Sequence, residues 1–133
     1  MSDGTTGPCS FQTVMPHPHL DLLAARDPLL QHTPELQLLG TRHDPSHAQR
    51  RCQQRGISRI KIRIALAYGR HENHHGWERW TLLSRQLRRT PYARFAHDLH
   101  GLQLIGRRLS SGADGSAVVQ LKTCKWNFRL RRH

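Results

Sequence analysis

The chain has 133 residues, enough for at most one ordinary domain. Its formal net charge of +12 is unevenly placed: residues 1–44 carry two Arg against five Asp/Glu, and residues 45–133 carry 19 Lys/Arg against four Asp/Glu. No run is long and apolar enough to span a bilayer, and the first twenty residues lack the basic and apolar segments of a signal peptide. Cys9, Cys52 and Cys124 are odd in number and unrelated in spacing, so the expectation is a reduced cytoplasmic protein without a disulfide framework. A small basic domain of this kind usually meets a polyanion, RNA or DNA first.

Residues 1–44 hold five of the seven prolines, Pro8, Pro16, Pro18, Pro28 and Pro34. They interrupt the chain too often for a long helix, and the stretch is read as a flexible arm rich in Pro, His and Leu. Within it, Leu20–Arg26 and Glu35–Leu39 have the composition of short helical turns, and the histidines of Pro16-His17-Pro18-His19 are read as solvated rather than metal-bound. The basic domain is expected over 45–133.

From Pro45 the pattern tightens. Asp44-Pro45 is a helix start and Gly56 a stop, which defines a helix over Pro45–Arg55. His47, Arg51 and Arg55 fall four apart and share one face, with Arg50 and Gln54 beside it. The next stretch is contested. Ile60-Lys61-Ile62-Arg63-Ile64 alternates as a strand does, yet Ser58 is an N-cap, Ala65-Leu66-Ala67 favours helix and Gly69 closes the run. The length between caps predicts a helix, with Ile57, Ile60, Ile64, Ala67 and Tyr68 as its core stripe.

His71-Glu72-Asn73-His74-His75 matches the zinc-protease string His-Glu-x-x-His. That chemistry needs a helix to set both histidines on one face, and this stretch, between Gly69 and Gly76, reads as a loop. It is taken as a chance match, and no metal or other cofactor is expected. Trp77–Leu83 reads as a strand with Trp77, Thr81 and Leu83 on one side and Trp80 and Leu82 on the other. Thr90-Pro91 opens a third helix, with Tyr92, Phe95, Ala96 and Leu99 as its stripe and Gly101 as its end. Leu102–Ile105, extendable to Leu109, is a strand; residues 110–115 form a turn; Ala117–Leu121 is a strand. Trp126, Phe128 and Leu130 alternate with Asn127, Arg129 and Arg131 in a last strand or an extension of the previous one. The fold class is α+β: two N-terminal helices and a third packed on a small antiparallel sheet of three to four strands.

The segment His47-Ala48-x-x-Arg51-x-x-x-Arg55-Gly56-Ile57-Ser58 resembles the opening of a small bacterial domain family of unknown function. Ala65-Leu66-x-Tyr68-Gly69, Gly101-Leu102 and Asp114-Gly115-x-x-Val118-Val119 match the same group. That group more distantly resembles the RelE/ParE-like toxins and the wider barnase/colicin/RelE-like fold. The likeness spans 45–124 and implies an antiparallel sheet with two N-terminal helices against it. Its wider membership includes metal-independent ribonucleases, translation-blocking toxins, gyrase poisons and proteins with no shown activity, and fold alone does not choose among them.

Metal-free RNA cleavage needs a proton acceptor for the 2′-OH, a donor for the leaving oxygen and cations for the phosphorane. Histidine is the side chain suited to the first two tasks near neutral pH, which makes His47 their candidate, and Arg51 and Arg55 have the fork of donors to clamp a phosphate. His47, Arg51 and Arg55 are therefore the candidate catalytic set, against plain phosphate contact or a structural role. Arg50, Lys122, Lys125, Arg129, Arg131 and Arg132 are the candidate nucleic-acid contacts. On a strand Trp126 and Phe128 point away from Lys125, Arg129 and Arg131, which makes the two rings core residues. Cys52 is read as a small buried residue between helix and sheet. The resulting expectation is an RNA-binding domain with metal-independent endoribonuclease toxin chemistry and an acidic antitoxin-like partner. The alternative is a non-enzymatic nucleic-acid-binding or protein-interaction domain.

Overall fold

In chain order, the computed structural model, which describes residues 18–111 and 116–130, has α1 (Pro18–Ala25), α2 (Pro28–Gln31), β1 (Glu35–Leu38), α3 (His47–Gln54) and α4 (Arg59–Tyr68). β2 (Arg70–His74), β3 (Trp77–Leu82) and α5 (Ser84–Leu87) follow, then a 3-10 turn (Ala93–Phe95), α6 (Ala96–Leu99), β4 (Leu102–Ser111) and β5 (Ser116–Trp126). The strands form one sheet in the order β1-β5-β4-β3-β2. The α+β class is as expected. The strand count and direction are corrected: among the described residues the sheet has five strands, and β1 runs parallel to β5 while the other pairs are antiparallel.

The expected arm is corrected from Pro18 onward; residues 1–17 lie outside the described residues. Pro18 and Pro28 begin helices instead of interrupting them, since a first-turn proline loses no helical hydrogen bond. Leu20 and Ala24, four apart, face the core with Leu30 and Leu36. Glu35–Leu38 is a strand, because Leu36 and Leu38 turn inward while Glu35 and Gln37 stay exposed. Asp27 pins this region. Its Oδ1 accepts the Leu29 N–H at 2.9 Å, and its Oδ2 accepts the Tyr68 and Tyr92 hydroxyls at 2.7 and 2.8 Å. Three donors replace the water that a buried carboxylate loses. Burial, then the hydrogen bond to Asp27 and the charge behind it, pushes the Tyr68 hydroxyl up to about 12 and the Tyr92 hydroxyl up as well.

The contest over residues 58–68 resolves as helix. The Ser58 hydroxyl accepts the Lys61 N–H at 3.3 Å, a cap of the kind that stabilises a helix by about 1 kcal/mol. The expected stripe is too narrow. Ile62 and Ala65, outside it, are 1% and 0% exposed, because α4 packs on β3 and β4 with one side and on α1 and α2 with another. The third helix divides into the 3-10 turn and α6, and Tyr92, Phe95 and Leu99 of its stripe are buried.

Strand alternation gives the sheet two unlike faces. Trp80, Leu82, Leu102, Leu104, Val119 and Leu121 point to the helices and are all at most 1% exposed. A register shift interrupts this order: Ile105 pairs with Thr123 but Gly106 pairs with Leu121, which leaves Lys122 as the extra residue of a β-bulge. The bulge lets Leu121 and Cys124, three apart, both be buried on the helix side while Lys122 and Thr123 turn to the other. Gly106 permits it, since a Cβ there would lie 2.2 Å from the Gln120 carbonyl oxygen.

Candidate nucleic-acid interface

The α3 residues separate. Ala48, Cys52 and Gln53 form its buried side. Asp44, held in a turn by Thr41, meets the Arg50 guanidinium and lies 3.7 Å from His47 Nδ1. Arg55 turns the other way: its Nη1 donates to the Cys124 carbonyl at 2.7 Å, and its own carbonyl accepts the Trp126 indole N–H at 2.7 Å. Arg55 thus fastens α3 to β5, and Arg51 is exposed. The structure brings His47 and Arg50 to one carboxylate and does not bring His47, Arg51 and Arg55 to one point. Cys52 and Cys124 are buried free thiols between α3 and β5, as expected of Cys52. Their shared hydrogen bond lowers the Cys52 pKa and raises that of Cys124.

The His-Glu-x-x-His stretch is corrected from loop to strand. Residues Arg70–His74 pair antiparallel with Trp77–Thr81 along β3, and the hairpin turns on His75 and Gly76, with φ of 52° and 81°. Two positive φ values are the signature of a two-residue turn that matches strand twist, and the glycine meets that demand without strain. On a strand the motif's histidines diverge. His71 points to the helix-side face, stacking on Trp80 at 4.9 Å between ring centroids and bonding Glu78 Oε1 at 2.7 Å. Glu72 and His74 belong to the opposite face, where Glu72 pairs with Arg79 at 3.2 Å and Arg70 at 3.6 Å. Among the described residues no His/Cys/Asp/Glu group could hold a metal ion.

That opposite face carries the cations. Arg70, Arg79, Arg107, Lys122 and Lys125 come from four adjacent strands, and Glu72 is the acidic residue among them. Two of them meet Trp77: Lys122 Nζ lies 3.9 Å and the Arg107 guanidinium carbon 4.4 Å from its ring centroid, while Arg70 and Lys125 lie level with Thr81 and Gln103 farther along the face. Beside it His74, His75, Trp77, Arg79, Ile105 and Lys122 line a depression of about 240 Å³. Arg79 Nε is shielded from solvent and has no hydrogen-bond partner among the described residues. Towards the other end the face closes: Gln103 Nε2 donates to Thr81 Oγ1 at 3.1 Å, and Asn127 Nδ2 lies 3.4 Å from Gln103 Oε1.

Of the sequence-derived contacts, Lys122 and Lys125 lie on this face, Arg50 lies on α3, and Arg129 is exposed in the turn after β5. Arg131 and Arg132 lie outside the described residues. Trp126 packs against the core as expected, but Phe128 is corrected: β5 ends at Trp126, and Phe128 is 75% exposed. Sequence reasoning missed Arg70, Arg79, Arg107 and Trp77. The signal was present at Trp77-Glu78-Arg79, where Trp77 and Arg79 share a side opposite Trp80. No described helix is long and apolar enough to cross a membrane. No family model, characterised protein or solved structure matches the chain.

Proposed function

We propose that this is a cytoplasmic RNA-binding domain that receives the sugar–phosphate backbone on the helix-free face of its sheet. The observation that carries the reading is the pair of cations on Trp77. Like charges repel, and the ring's negative face offsets that only in part; an anion between Lys122, Arg107 and Arg79 completes the balance. Arg is suited to phosphate because its fork of donors matches phosphate oxygens, and the chain's net charge of +12 supplies attraction at longer range. In the RelE-like form of this reading, an acidic antitoxin-like protein would cover the same cations.

The test is electrophoretic or fluorescence binding of RNA across a salt series. Arg79→Ala, Lys122→Ala and Lys125→Ala are expected to weaken binding and flatten its salt dependence, while His47→Ala and Arg51→Ala leave both unchanged. Equal losses from both groups, or no binding at low salt, would overturn it. A second reading, metal-independent cleavage, is favoured by one observation: the histidines that share a depression with Arg79 and Lys122 are His74 and His75, not His47. Cleavage in EDTA that is lost in His74→Gln or His75→Gln and kept in His47→Ala supports it; intact RNA sinks it.

A further inference from the structure

The depression beside Trp77 has an apolar floor and charged residues at its margin: the surface that Trp77, Ile105, His74, His75, Arg79 and Lys122 present to the space is chiefly apolar, and the Arg79 and Lys122 charges belong to its surroundings. A phosphate group alone has no use for an apolar floor, because burying that surface contributes only when an apolar group covers it. A base-paired stretch cannot enter, since its rings are stacked inside the duplex and only its backbone and groove edges reach a protein surface. The ligand that matches both parts is a flat heterocycle with an attached anion. At about 240 Å³ the space is below that of ordinary drug-sized sites and suits one such ring system.

We propose that this depression holds one unpaired base of a single-stranded RNA, with its phosphate on the Arg79 and Lys122 rim. The proposal rests on the sheet-face reading above. The base lies against Ile105 and the Trp77 ring. The Lys122 ammonium, now 3.9 Å from that ring's centroid, swings out on its flexible stem to the phosphate as the base takes its place. Arg79, which lines the depression and whose Nη2 pairs with Glu72 at 3.2 Å, contributes its guanidinium charge to the same phosphate. Bases stack on aromatic rings with little regard to sequence, so the expected selectivity is for single strands over duplexes, not for one base over another.

The experiment compares the full chain's affinity for three probes at one salt concentration: a short single-stranded RNA, that RNA annealed to its complement, and the same strand with abasic sites. The single strand is expected to bind about ten-fold tighter than the other two, in line with the usual worth of one stacked base. Trp77→Ala should erase the difference, and Trp77→Phe should keep most of it. Should Trp77→Ala fail to fold, the Trp77 indole N–H resonance of the unaltered protein is the substitute readout, shifting with the intact strand and not with the abasic one. Equal affinity for all three probes overturns the base site and leaves the sheet-face reading intact. Binding of none of them overturns both.

Discussion

Trp77 and Trp80 stand three apart on one strand, and they show how differently the two faces of the sheet are built. Trp80 is 1% exposed, covered by helices, with the His71 ring on it and apolar neighbours from β3 and β4. Trp77 faces away from the helices and is surrounded by Arg107, Lys122 and Arg79. One face closes on itself. The other is a rigid platform carrying charge that its own residues only partly neutralise, since Glu72 is shared between Arg70 and Arg79. A sheet covered on one side positions side chains on the other with little freedom, and binding groups gain from being held by regular elements instead of loops.

The largest expected effect breaks the closed face. Trp80→Ala should lose about 4 kcal/mol in urea unfolding, by lost transfer energy and a remaining cavity, while Trp77→Ala stays within about 1 kcal/mol of the parent. Next is the anchor under the N-terminal elements. Asp27→Ala strands two tyrosine hydroxyls, and should cost about 3 kcal/mol without changing RNA affinity in the protein that remains folded.

The same cluster gives a pH prediction. Tyr68 and Tyr92 have pKa values raised in the folded state, Tyr68 to about 12 from the ordinary 10. Their contribution is therefore fully present below pH 10 and is lost as pH rises through 10 towards 12. Denaturation midpoints should fall in that window while tyrosinate absorbance rises, and the fall should be shallower in Asp27→Ala. On the open face, Lys122→Ala and Arg107→Ala should each reduce RNA affinity by about ten-fold at low salt and lower the salt slope by about one. The smallest effect is His47→Ala, which should leave stability within about 0.5 kcal/mol because His47 is a half-exposed partner of Asp44 on the far side of the fold.

Much of the core was legible because it is local. Ser58 and its following residues specify α4, and Tyr92, Phe95 and Leu99 announce a buried helical face. What escaped depends on partners distant in sequence. Ile62 and Ala65 fell outside the expected stripe of a helix that touches α1 and α2 as well as β3 and β4, and α1 and α2 were themselves read as part of an arm. The His71–His75 stretch was read as loop because its residues are polar on both sides, which is what an edge strand looks like when paired along β3 alone. Arg55 shares a face with His47 by spacing, yet the Cys124 carbonyl, contributed by a strand 69 positions away, takes its guanidinium. Cys124 on the buried face and Lys125 on the open one rest on the bulge at Lys122, since alternation continued from Leu121 would have exchanged them.

The parallel pairing of β1 with β5 also bears on how the chain is made. Gln37 and Gln120, hydrogen-bonded across that pair at 2.7 Å, are 83 positions apart, so β1 has no strand neighbour until nearly all of the described chain has left the ribosome. Closing so long a loop raises contact order and slows the last step of assembly. Until β5 is made, Leu36 and Leu38 lie on a strand without its partner, apolar surface that only the end of synthesis covers.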